Sequence, residues 1–463
     1  MAHKHFIVTM EEDIDHDQAA NVLAAKTAVM KDAVTVFELD QETDEADVLG
    51  IQESGIYIKA MGEDEAETLR HDERVAEVTE DIEVYALGEG RGQAADVALE
   101  DVESGDSVDP YIEGYNQALA DMSDCCETYQ ADASARFRPP PFRPRPIPGR
   151  PVCPPGTRPV LECKPIPRPP VPERRQPIPW GIAMVKADQV WHRVTGRGVK
   201  VAVIDTGIDE DHPDLTVSGG ASFVPGVSSW DDDQGHGTHC AGIAGARNNP
   251  LGVVGVAPEC EFHAVKVLAG NGSGQLSWIL AGMGWCVRNN MDVASMSLGS
   301  DVTDPNVGCI TAYQRAARNL ERSGCVVVAA AGNAGRGNNH WVGQPARCPG
   351  FLAVAAVDRN RRKANFSSWG PPDLSRLSGV EIAAPGVSIR STLPGGGYGQ
   401  KSGTSMACPH VSGAAALLKQ LRPTWTPARI RNHLKATASD LGAPGFDPEL
   451  GAGLLDCRRA VLG

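Results

Sequence analysis

The sequence predicts an α/β protein built on a parallel sheet with helices on both faces, preceded by a small α+β domain. From residue 176 onward, unbroken apolar runs alternate with helical runs: VKVAVIDTG, EFHAVKVLAG, MDVASMSLG, CVVVAAAGN, FLAVAAV and VEIAAPG. Strands that are apolar throughout and separated by helices are typical of parallel sheets buried on both faces. Before residue 88 the strand-like runs are shorter and are mixed with many acidic residues. The two regions therefore predict two different domains.

The first region extends to Leu87. HFIVTM, AVTVFEL, SGIYIKAM and VAEVTEDIEVYAL favour strands, whereas residues 18–30 and 64–71 favour helices. This mixture predicts a small α+β domain over residues 1–87.

A linker is expected over residues 88–175, before the larger domain at 176–463. Its first part is acidic, and residues 136–179 hold 17 of the 34 prolines in the chain together with many arginines. Such a composition favours an extended spacer, and docking to a proline-binding domain is the alternative.

The net charge of −16 is distributed unevenly, because the first 135 residues carry 35 acidic against only 7 basic side chains. This asymmetry favours attraction between two parts of one chain over binding to nucleic acid. No apolar run approaches the roughly 18 residues that a membrane span needs. The N-terminus lacks the features of a secretory signal, so we expect the cytoplasm by default, with secretion as the alternative. We expect a monomer.

The 12 cysteines are few for the length of the chain. Those in apolar runs are expected to be buried free thiols: Cys240, Cys286, Cys325 and Cys408. Two further sets could form bridges or bind a metal, and their spacing does not decide between these: Cys125 with Cys126, and Cys153 with Cys163.

Three polar residues at predicted strand ends and helix starts form a candidate catalytic set: Asp205, His236 and Ser405. A serine hydroxyl needs a base such as imidazole, and the imidazole needs a carboxylate to orient it and stabilise its cation. Each residue alone is more typical of a turn, a core histidine or a helix cap. Together they supply every group that nucleophilic catalysis by serine requires.

The region from residue 176 onward resembles the subtilisin-like serine proteases. The resemblance is carried by VAVIDTGIDEDHPDL, HGTHCAGIAG, VLAGNGSGQLSWIL, MSLGS, AAAGN and GTSMACPHVSGAAALL. The order Asp, His, Ser is that of subtilisin and differs from the order in lipases and esterases. The resemblance implies a subtilisin-like fold and a serine endopeptidase with Asp205, His236 and Ser405 as its triad.

The same resemblance assigns the oxyanion donors and the substrate subsites. Asn333 is expected to donate its side-chain amide to the oxyanion, together with the backbone N–H of Ser405. Two segments are expected to pair with an extended peptide: Gly272, Ser273 and Gly274, and Ser297, Leu298 and Gly299. A pocket for a large apolar side chain is assigned to Ala331, Gly332 and Gly343, with no acidic group at Ala334. A further apolar subsite is assigned to Leu276, Ile279 and Leu298. Broad specificity is expected.

Structural calcium is the cofactor that the resemblance implies. Its expected ligands are the side chains of Gln176, Asp214 and Asn249 and the carbonyls of Arg247, Leu251 and Val253. For Asp231, Asp232 and Asp233 we expect a solvated acidic loop, with a second ion as the alternative. A zinc site formed by His236, His239 and Cys240 is a further, less favoured alternative.

Residues 1–87 resemble a subtilisin propeptide, most clearly in MGEDEAETLRHDERVAEVTEDIEVYAL. In simpler relatives the propeptide runs directly into the catalytic domain, so the long linker is a departure. The resemblance implies a zymogen that is inhibited by its own propeptide and cleaved near Leu87–Gly88 or within the linker. The alternative is a catalytically silent peptide-binding protein with a permanently docked propeptide.

Overall fold

The structure is a computed structural model. It describes residues 4–27, 34–36, 48–51, 55–87, 176–304, 306–337, 340–370, 379–442 and 444–463. The predicted linker, and with it the four cysteines between residues 125 and 163, lies outside the described residues. The division into three parts therefore stays a prediction. The described residues on both sides of the linker belong to one compact unit.

The N-terminal domain is a five-stranded sheet with two helices. Its elements are β1 (Lys4–Met10), α1 (His16–Lys26), β2 (Val34–Val36), β3 (Val48–Ile51), β4 (Ile56–Met61), α2 (Glu63–Arg70) and β5 (Val75–Glu80). The strand order is β2-β3-β4-β1-β5, and all neighbours except β2 and β3 are antiparallel. The order β3-β4-β1-β5 with two helices is the arrangement of a ferredoxin-like domain, and β2 is an extra strand.

Local signals in the sequence explain the helices of this domain. Asp15 caps α1 by accepting from the Gln18 backbone N–H at 2.8 Å, and the Gln18 side chain accepts from the Asp15 N–H at 3.0 Å. This capping box starts the helix two residues before the predicted start. The run VAEVTEDIEVYAL breaks into β5 and a separate strand, β6 (Glu83–Ala86), which leaves the domain sheet.

The two faces of the N-terminal sheet pack against different partners. Along β1, Phe6, Val8 and Met10 join the core that the sheet forms with α1 and α2. Ile7 points to the other face and joins a core of the larger region together with Ile58. This alternation is the two-residue period of a strand whose two faces are both buried.

The larger region follows the predicted alternation of strands and helices. Its first half contains α3 (Trp180–Met184), β7 (Lys200–Asp205), β8 (Val217–Ser222), α4 (His236–Gly245), β9 (Glu261–Lys266), β10 (Ser273–Gln275), α5 (Leu276–Arg288), β11 (Val293–Met296) and β12 (Leu298–Gly299). Its second half contains α6 (Thr311–Arg322), β13 (Val326–Ala330), β14 (Phe351–Val357), β15 (Ile382–Pro385), β16 (Ile389–Leu393), β17 (Gly397–Lys401), α7 (Thr404–Leu421), α8 (Pro427–Ala436) and α9 (Cys457–Leu462).

The main sheet has seven parallel strands among the described residues, in the order β15-β14-β13-β11-β7-β9-β8. Val201 and Val203 face a core shared with α4 and α7, whereas Ala202 and Ile204 face one shared with α5 and α6. The predicted parallel sheet with helices on both faces is therefore confirmed. The strand order reverses between β7 and β11, and such a reversal opens a crevice at the carboxyl ends of the strands.

Among the described cysteines, six are buried free thiols, and they include all four for which this was predicted. One disulfide joins Cys309 to Cys348, and no spacing in the sequence predicts it. It ties the segment before α6 to the loop before β14. In the part of the chain that the structure describes, no helix is both long and apolar enough to cross a membrane.

Candidate functional site

The predicted catalytic residues lie at the crevice where the strand order reverses. Asp205 is the last residue of β7, His236 is the first residue of α4, and Ser405 lies in the first turn of α7. All three side chains are buried. Gly237 lets α4 start close against β7, because a Cβ at this position would lie 2.1 Å from the Gly207 carbonyl oxygen.

Asp205 and His236 form a buried hydrogen-bonded pair, with 2.7 Å between Nδ1 of the imidazole and Oδ1 of the carboxylate. The backbone N–H of Thr206 also donates to Oδ1 at 2.8 Å. Burial alone would lower the pKa of His236, but the Asp205 carboxylate outweighs it and raises the pKa well above 6.5. Burial raises the pKa of the neighbouring Cys240 thiol. The thiol is therefore uncharged at neutral pH and does not account for the raised pKa of His236. The pair is arranged to accept and stabilise a proton.

Ser405 is held through its backbone carbonyl, which Pro409 leaves without its usual helical hydrogen bond. Pro409 has no N–H to donate to the Ser405 carbonyl one turn earlier in α7. That carbonyl instead accepts from the Ser297 hydroxyl at 2.9 Å and from the Cys240 thiol at 3.5 Å. Because the Cys240 sulfur also lies 3.9 Å from His236 Nδ1, these contacts bring the serine and the histidine to the same site.

The Ser405 hydroxyl does not bond to His236 in this structure. It lies within hydrogen-bond distance of the Leu87 carbonyl, and 3.0 Å from the Ser297 carbonyl. His236 Nε2 is buried without a hydrogen-bond partner. The end of the N-terminal domain therefore places a backbone carbonyl directly against the Ser405 hydroxyl.

Asn333 contacts the same carbonyl group. Its Nδ2 donates to the Leu87 oxygen at 2.8 Å. Its Oδ1 accepts from the Thr404 backbone N–H and from the Thr404 hydroxyl, each at 3.0 Å. These two bonds fix the orientation of the amide, so that its N–H groups face the carbonyl. The part predicted for the Ser405 backbone N–H stays a prediction.

The tail of the N-terminal domain forms the middle strand of a small antiparallel sheet. β6 lies between β10 and β12, with Ser273 opposite Tyr85 and Leu298 opposite Ala86. The Ala86 N–H donates to the Gly272 carbonyl at 2.9 Å, and the Leu87 N–H donates to the Ser297 carbonyl at 3.1 Å. The groove between β10 and β12, called the cleft below, thus holds an extended peptide along both edges. The two segments predicted to pair with a peptide, 272–274 and 297–299, are those that form it.

The predicted subsites differ in how directly the tail contacts them. Val84 is buried in one core with all three residues of the predicted apolar subsite: Leu276, Ile279 and Leu298. A methyl group of Leu87 lies against Gly299, where an added Cβ would be 3.1 Å away. The residues assigned to the main pocket adjoin the site: the Gly343 N–H donates to Ala331 at 2.9 Å, and the Gly332 N–H to Thr404 at 3.2 Å. Their role as the pocket stays a prediction.

Two carboxylates of the N-terminal domain contact the first turns of α5 and α6, and the sequence analysis missed both. Asp81 accepts from the Ser277 N–H at 2.9 Å and from its hydroxyl at 2.6 Å. Glu77 accepts from the Thr311 N–H at 2.6 Å. Neither helix has a side-chain cap from its own N-cap residue, and carboxylates are stabilised at helix N-termini. Burial raises the pKa of Asp81. The acidic excess of the N-terminal region was the available signal.

Five of the six predicted calcium ligands lie together. Asp214 is buried and accepts from Asn249 at 2.8 Å, while Gln176 Nε2 contacts the Leu251 carbonyl and lies 2.5 Å from that of Val253. Two carbonyls thus converge on the Gln176 amide, and the buried carboxylate accepts from the Asn249 amide. Arg247 adjoins the group through its N–H, 2.8 Å from the Asp214 carbonyl, but no described contact involves its own carbonyl.

The expectation of a solvated acidic loop at residues 231–233 holds for two of the three side chains. Asp231 and Asp233 are exposed, and Asp233 pairs with the buried Lys266 at 2.6 Å. Asp232 is the exception, because it is only 4% exposed. The less favoured zinc alternative is not supported, because His239 is not part of the close group of possible ligands, and its Nε2 lies 3.2 Å from the Gly399 carbonyl. In the described residues, the group close enough to hold a metal combines His236 and Cys240 with Asp205.

Comparison with known proteins agrees with this geometry. Residues 196–453 match the model of the subtilase family. The chain is 48% identical to subtilisin E of Bacillus subtilis over 292 residues, which are 62% of this chain and 72% of that protein. It is 47% identical to subtilisin Savinase of Lederbergia lenta over 287 residues, which are 62% of this chain and 99% of that protein. It is 48% identical to the subtilisin of Bacillus pumilus over 289 residues, again 62% of this chain and 99% of that protein. The chain therefore belongs to the subtilase family and is a subtilisin-like serine endopeptidase.

Proposed function

We propose that Asp205, His236 and Ser405 are the catalytic triad of an endopeptidase that is made as a zymogen inhibited by residues 1–87. The observation that carries the proposal is the position of the Leu87 carbonyl, held between the Ser405 hydroxyl and the Asn333 amide. A carbonyl bound by both a nucleophile and an oxyanion donor is in the position of a substrate carbonyl. The tail of the N-terminal domain is therefore both the inhibitor and the first substrate.

Hydrolysis follows from the roles of these groups. The Ser405 oxygen attacks the carbonyl carbon while His236 Nε2 takes the hydroxyl proton, and Asp205 stabilises the imidazolium that forms. The oxyanion is held by Asn333 and by the Ser405 backbone N–H. The imidazolium then gives its proton to the leaving amine, which produces an acyl-enzyme. Water repeats the sequence, releasing the acid and restoring the serine.

Substrates are polypeptides bound in the cleft as an added antiparallel strand. Recognition of the backbone along both edges gives broad specificity. The apolar subsite formed by Leu276, Ile279 and Leu298 takes the side chain three residues before the one at the scissile carbonyl, as it takes Val84. The pocket formed by Ala331, Gly332 and Gly343 takes a large apolar residue directly before the scissile bond. Leu87 is a residue of this kind.

Inhibition rests on three sets of contacts. The tail pairs with both edges of the cleft, Glu77 and Asp81 accept from the first turns of α6 and α5, and Ile7 and Ile58 join the core of the larger region. Cleavage after Leu87 leaves the last two sets unchanged, so the domain stays bound as a product until it is degraded. Maturation is expected at Leu87–Gly88.

We propose further that calcium stabilises the loop around Asn249. The residues fit this ion, because hard cations prefer carboxylate and carbonyl oxygens, and a buried carboxylate needs a positive partner. Gln176, Asp214 and Asn249 would hold it through side chains, and Arg247, Leu251 and Val253 through carbonyls. When bound, the ion stabilises the fold by joining residue 176 to this loop and takes no part in hydrolysis.

The test combines hydrolysis of a peptide with labelling by a serine-reactive fluorophosphonate, in the wild-type chain and in Ser405→Ala. Ser402→Ala is the matched control, because its hydroxyl accepts from the Ser388 N–H outside the site. We expect activity and labelling in the wild type and the control and neither in Ser405→Ala. A Ser405→Ala variant that still hydrolyses peptides would refute the assigned nucleophile.

Two further readouts test the remaining parts of the proposal. N-terminal sequencing should show that the mature enzyme begins at Gly88. A mature chain that still begins at Met1 would contradict the proposal that the protein is made as a zymogen. A calcium chelator should lower the melting temperature of the wild type but not that of Asp214→Asn. Equal melting temperatures of the wild type with and without chelator would exclude structural calcium.

A further inference from the structure

Asp232 forms an unusual buried centre of hydrogen bonds beside the catalytic pair. Its Oδ1 accepts from the Thr206 hydroxyl at 2.8 Å and from the N–H groups of Gln234 and Gly235 at 3.0 and 2.8 Å. Its Oδ2 accepts from the Thr238 N–H at 2.9 Å and from the Thr238 hydroxyl at 2.6 Å. One carboxylate thus accepts five hydrogen bonds. A turn that only connects two elements does not need so many.

These donors belong to the two segments that carry the catalytic pair. Thr206 follows Asp205, and its backbone N–H donates to the Asp205 carboxylate at 2.8 Å. The Thr206 hydroxyl also accepts from the Gly237 N–H at 2.9 Å, directly after His236. The other donors flank His236 on both sides. Asp232 therefore links the end of β7 to the first turn of α4.

Only an ionised carboxylate suits this position. It offers acceptor sites on both oxygens and no donor, so every donor around it can be satisfied. An amide of the same shape would turn an NH₂ group towards donors at one side of the centre. The negative charge also lies at the N-terminus of α4, where an anion is stabilised. Removing it leaves buried donors unpaired and frees the two segments to shift.

A second charged group supports the same segment. The ammonium group of Lys266, at the end of β9, contacts the Thr206 carbonyl and pairs with Asp233 at 2.6 Å. Thr206 is therefore held through its hydroxyl by Asp232 and through its carbonyl by Lys266. Catalysis uses neither charged group directly, and both hold the residue next to Asp205.

We propose that Asp232 is a positioning residue for the hydrolytic reaction, holding His236 at hydrogen-bond distance from Asp205 by fixing α4 to β7. The proposal rests on the assignment of Asp205 and His236 to the triad. A displacement of about 1 Å at reacting groups can cost on the order of 100-fold in rate. Asp232 is not part of the cleft edges at 272–274 and 297–299, which bind the peptide. We therefore expect a change at Asp232 to lower kcat more than it raises KM.

The test compares Asp232→Asn with Asp231→Asn in the full chain, activated side by side with the wild type and counted by fluorophosphonate labelling. Asp231→Asn removes one neighbouring charge from an exposed residue and is the matched control. We expect kcat per labelled enzyme to fall about 10- to 100-fold in Asp232→Asn, with KM changed less than about twofold. The acid limb of the kcat profile should move to lower pH, because a weaker Asp205 contact supports the imidazolium less. Asp231→Asn should match the wild type.

Thr206 gives a second pair of variants in case Asp232→Asn does not fold. Thr206→Val removes the hydroxyl that bridges Asp232 and Gly237 and should reduce kcat in the same direction, whereas Thr206→Ser should restore it. Wild-type kcat and pH profile in Asp232→Asn, or equal effects of Thr206→Val and Thr206→Ser, would overturn the proposal. If Ser405→Ala in the same series retained activity, the triad assignment would fail instead, so the two failures are distinguishable.

Discussion

The two sheets of this protein are covered in different ways. The main sheet is buried on both faces by helices of its own region, α4 and α7 on one side and α5 and α6 on the other. In the described part of the N-terminal domain, its own helices cover one face of the sheet, and the other face joins the core of the larger region through Ile7 and Ile58. An apolar face needs a second layer. The main sheet therefore has both covering layers within its own region, while the second layer of the N-terminal sheet comes from the larger region.

The polar groups show the same contrast. In the catalytic region they are buried and bonded to each other, as in the pair of Asp205 with His236 and the centre at Asp232. The N-terminal domain instead directs Glu77 and Asp81 outwards, to N–H groups of another region. A catalytic site needs groups that are already in position, whereas a domain that is released in the proposed maturation needs contacts that water can replace.

The largest loss of kcat is expected from a change in the buried pair of Asp205 and His236. Asp205→Asn keeps the shape of the side chain but no longer stabilises the imidazolium, so kcat should fall about 10⁴-fold. Because the carboxylate raises the pKa of His236, its loss lowers that pKa, and the neutral base forms at lower pH. The acid limb of the pH profile should therefore move to lower pH. A limb that stays in place in the labelled, folded variant would contradict this role of Asp205.

Removing the oxyanion donor should have the next largest effect. Asn333→Ala is expected to reduce kcat about 100- to 1000-fold with little change in KM, a range known from subtilisin itself. The exposed Asn360→Ala serves as control. Steady-state kinetics on the mature enzyme measure both constants, and a loss confined to KM would show that Asn333 binds the ground state instead.

The two regions also differ in their cross-links: the larger region contains a disulfide, whereas residues 1–87 contain no cysteine. The Cys309–Cys348 bond closes a separation of 39 residues, and loss of such a bond costs about 2 to 4 kcal/mol. A double change to alanine should lower the melting temperature of the mature enzyme measured without reductant. The buried free thiol Cys457 provides the control change to alanine. A melting temperature equal to that of the wild type would contradict the expectation.

The smallest effect is expected at the contact between the regions. A double change of Glu77 and Asp81 to alanine removes three hydrogen bonds to helix ends and should raise the open fraction of the intact chain about 10- to 100-fold. Peptidase activity before maturation reports this fraction. Glu73→Ala, at an exposed position of the same domain, is the control. Unchanged basal activity in the double variant would mean that the tail alone holds the cleft closed.

Much of the fold was predictable because its signals are local. Each apolar run from VKVAVIDTG to VEIAAPG contains a strand of the main sheet, since a run buried on both faces needs no partner to be recognised. The strand Val217–Ser222 escaped prediction, because VSGGAS carries neither a long apolar run nor an alternation. The sequence predicts one strand over VAEVTEDIEVYAL, whereas pairing with the cleft makes β6 a separate strand from β5.

The sequence by itself determined the parallel sheet, because its strands are apolar throughout, and it predicted the triad and Asn333 from residue type and order. Tertiary structure decided what depends on residues far apart in the chain. It buried Asp232, which the sequence places in a run of three acidic residues, and brought Cys309 to Cys348. It also set Glu77 and Asp81 at the ends of α6 and α5. No periodic pattern in the sequence predicts such contacts. An Asp or Glu has the same one-letter code whether its carboxylate faces water or a buried N–H group.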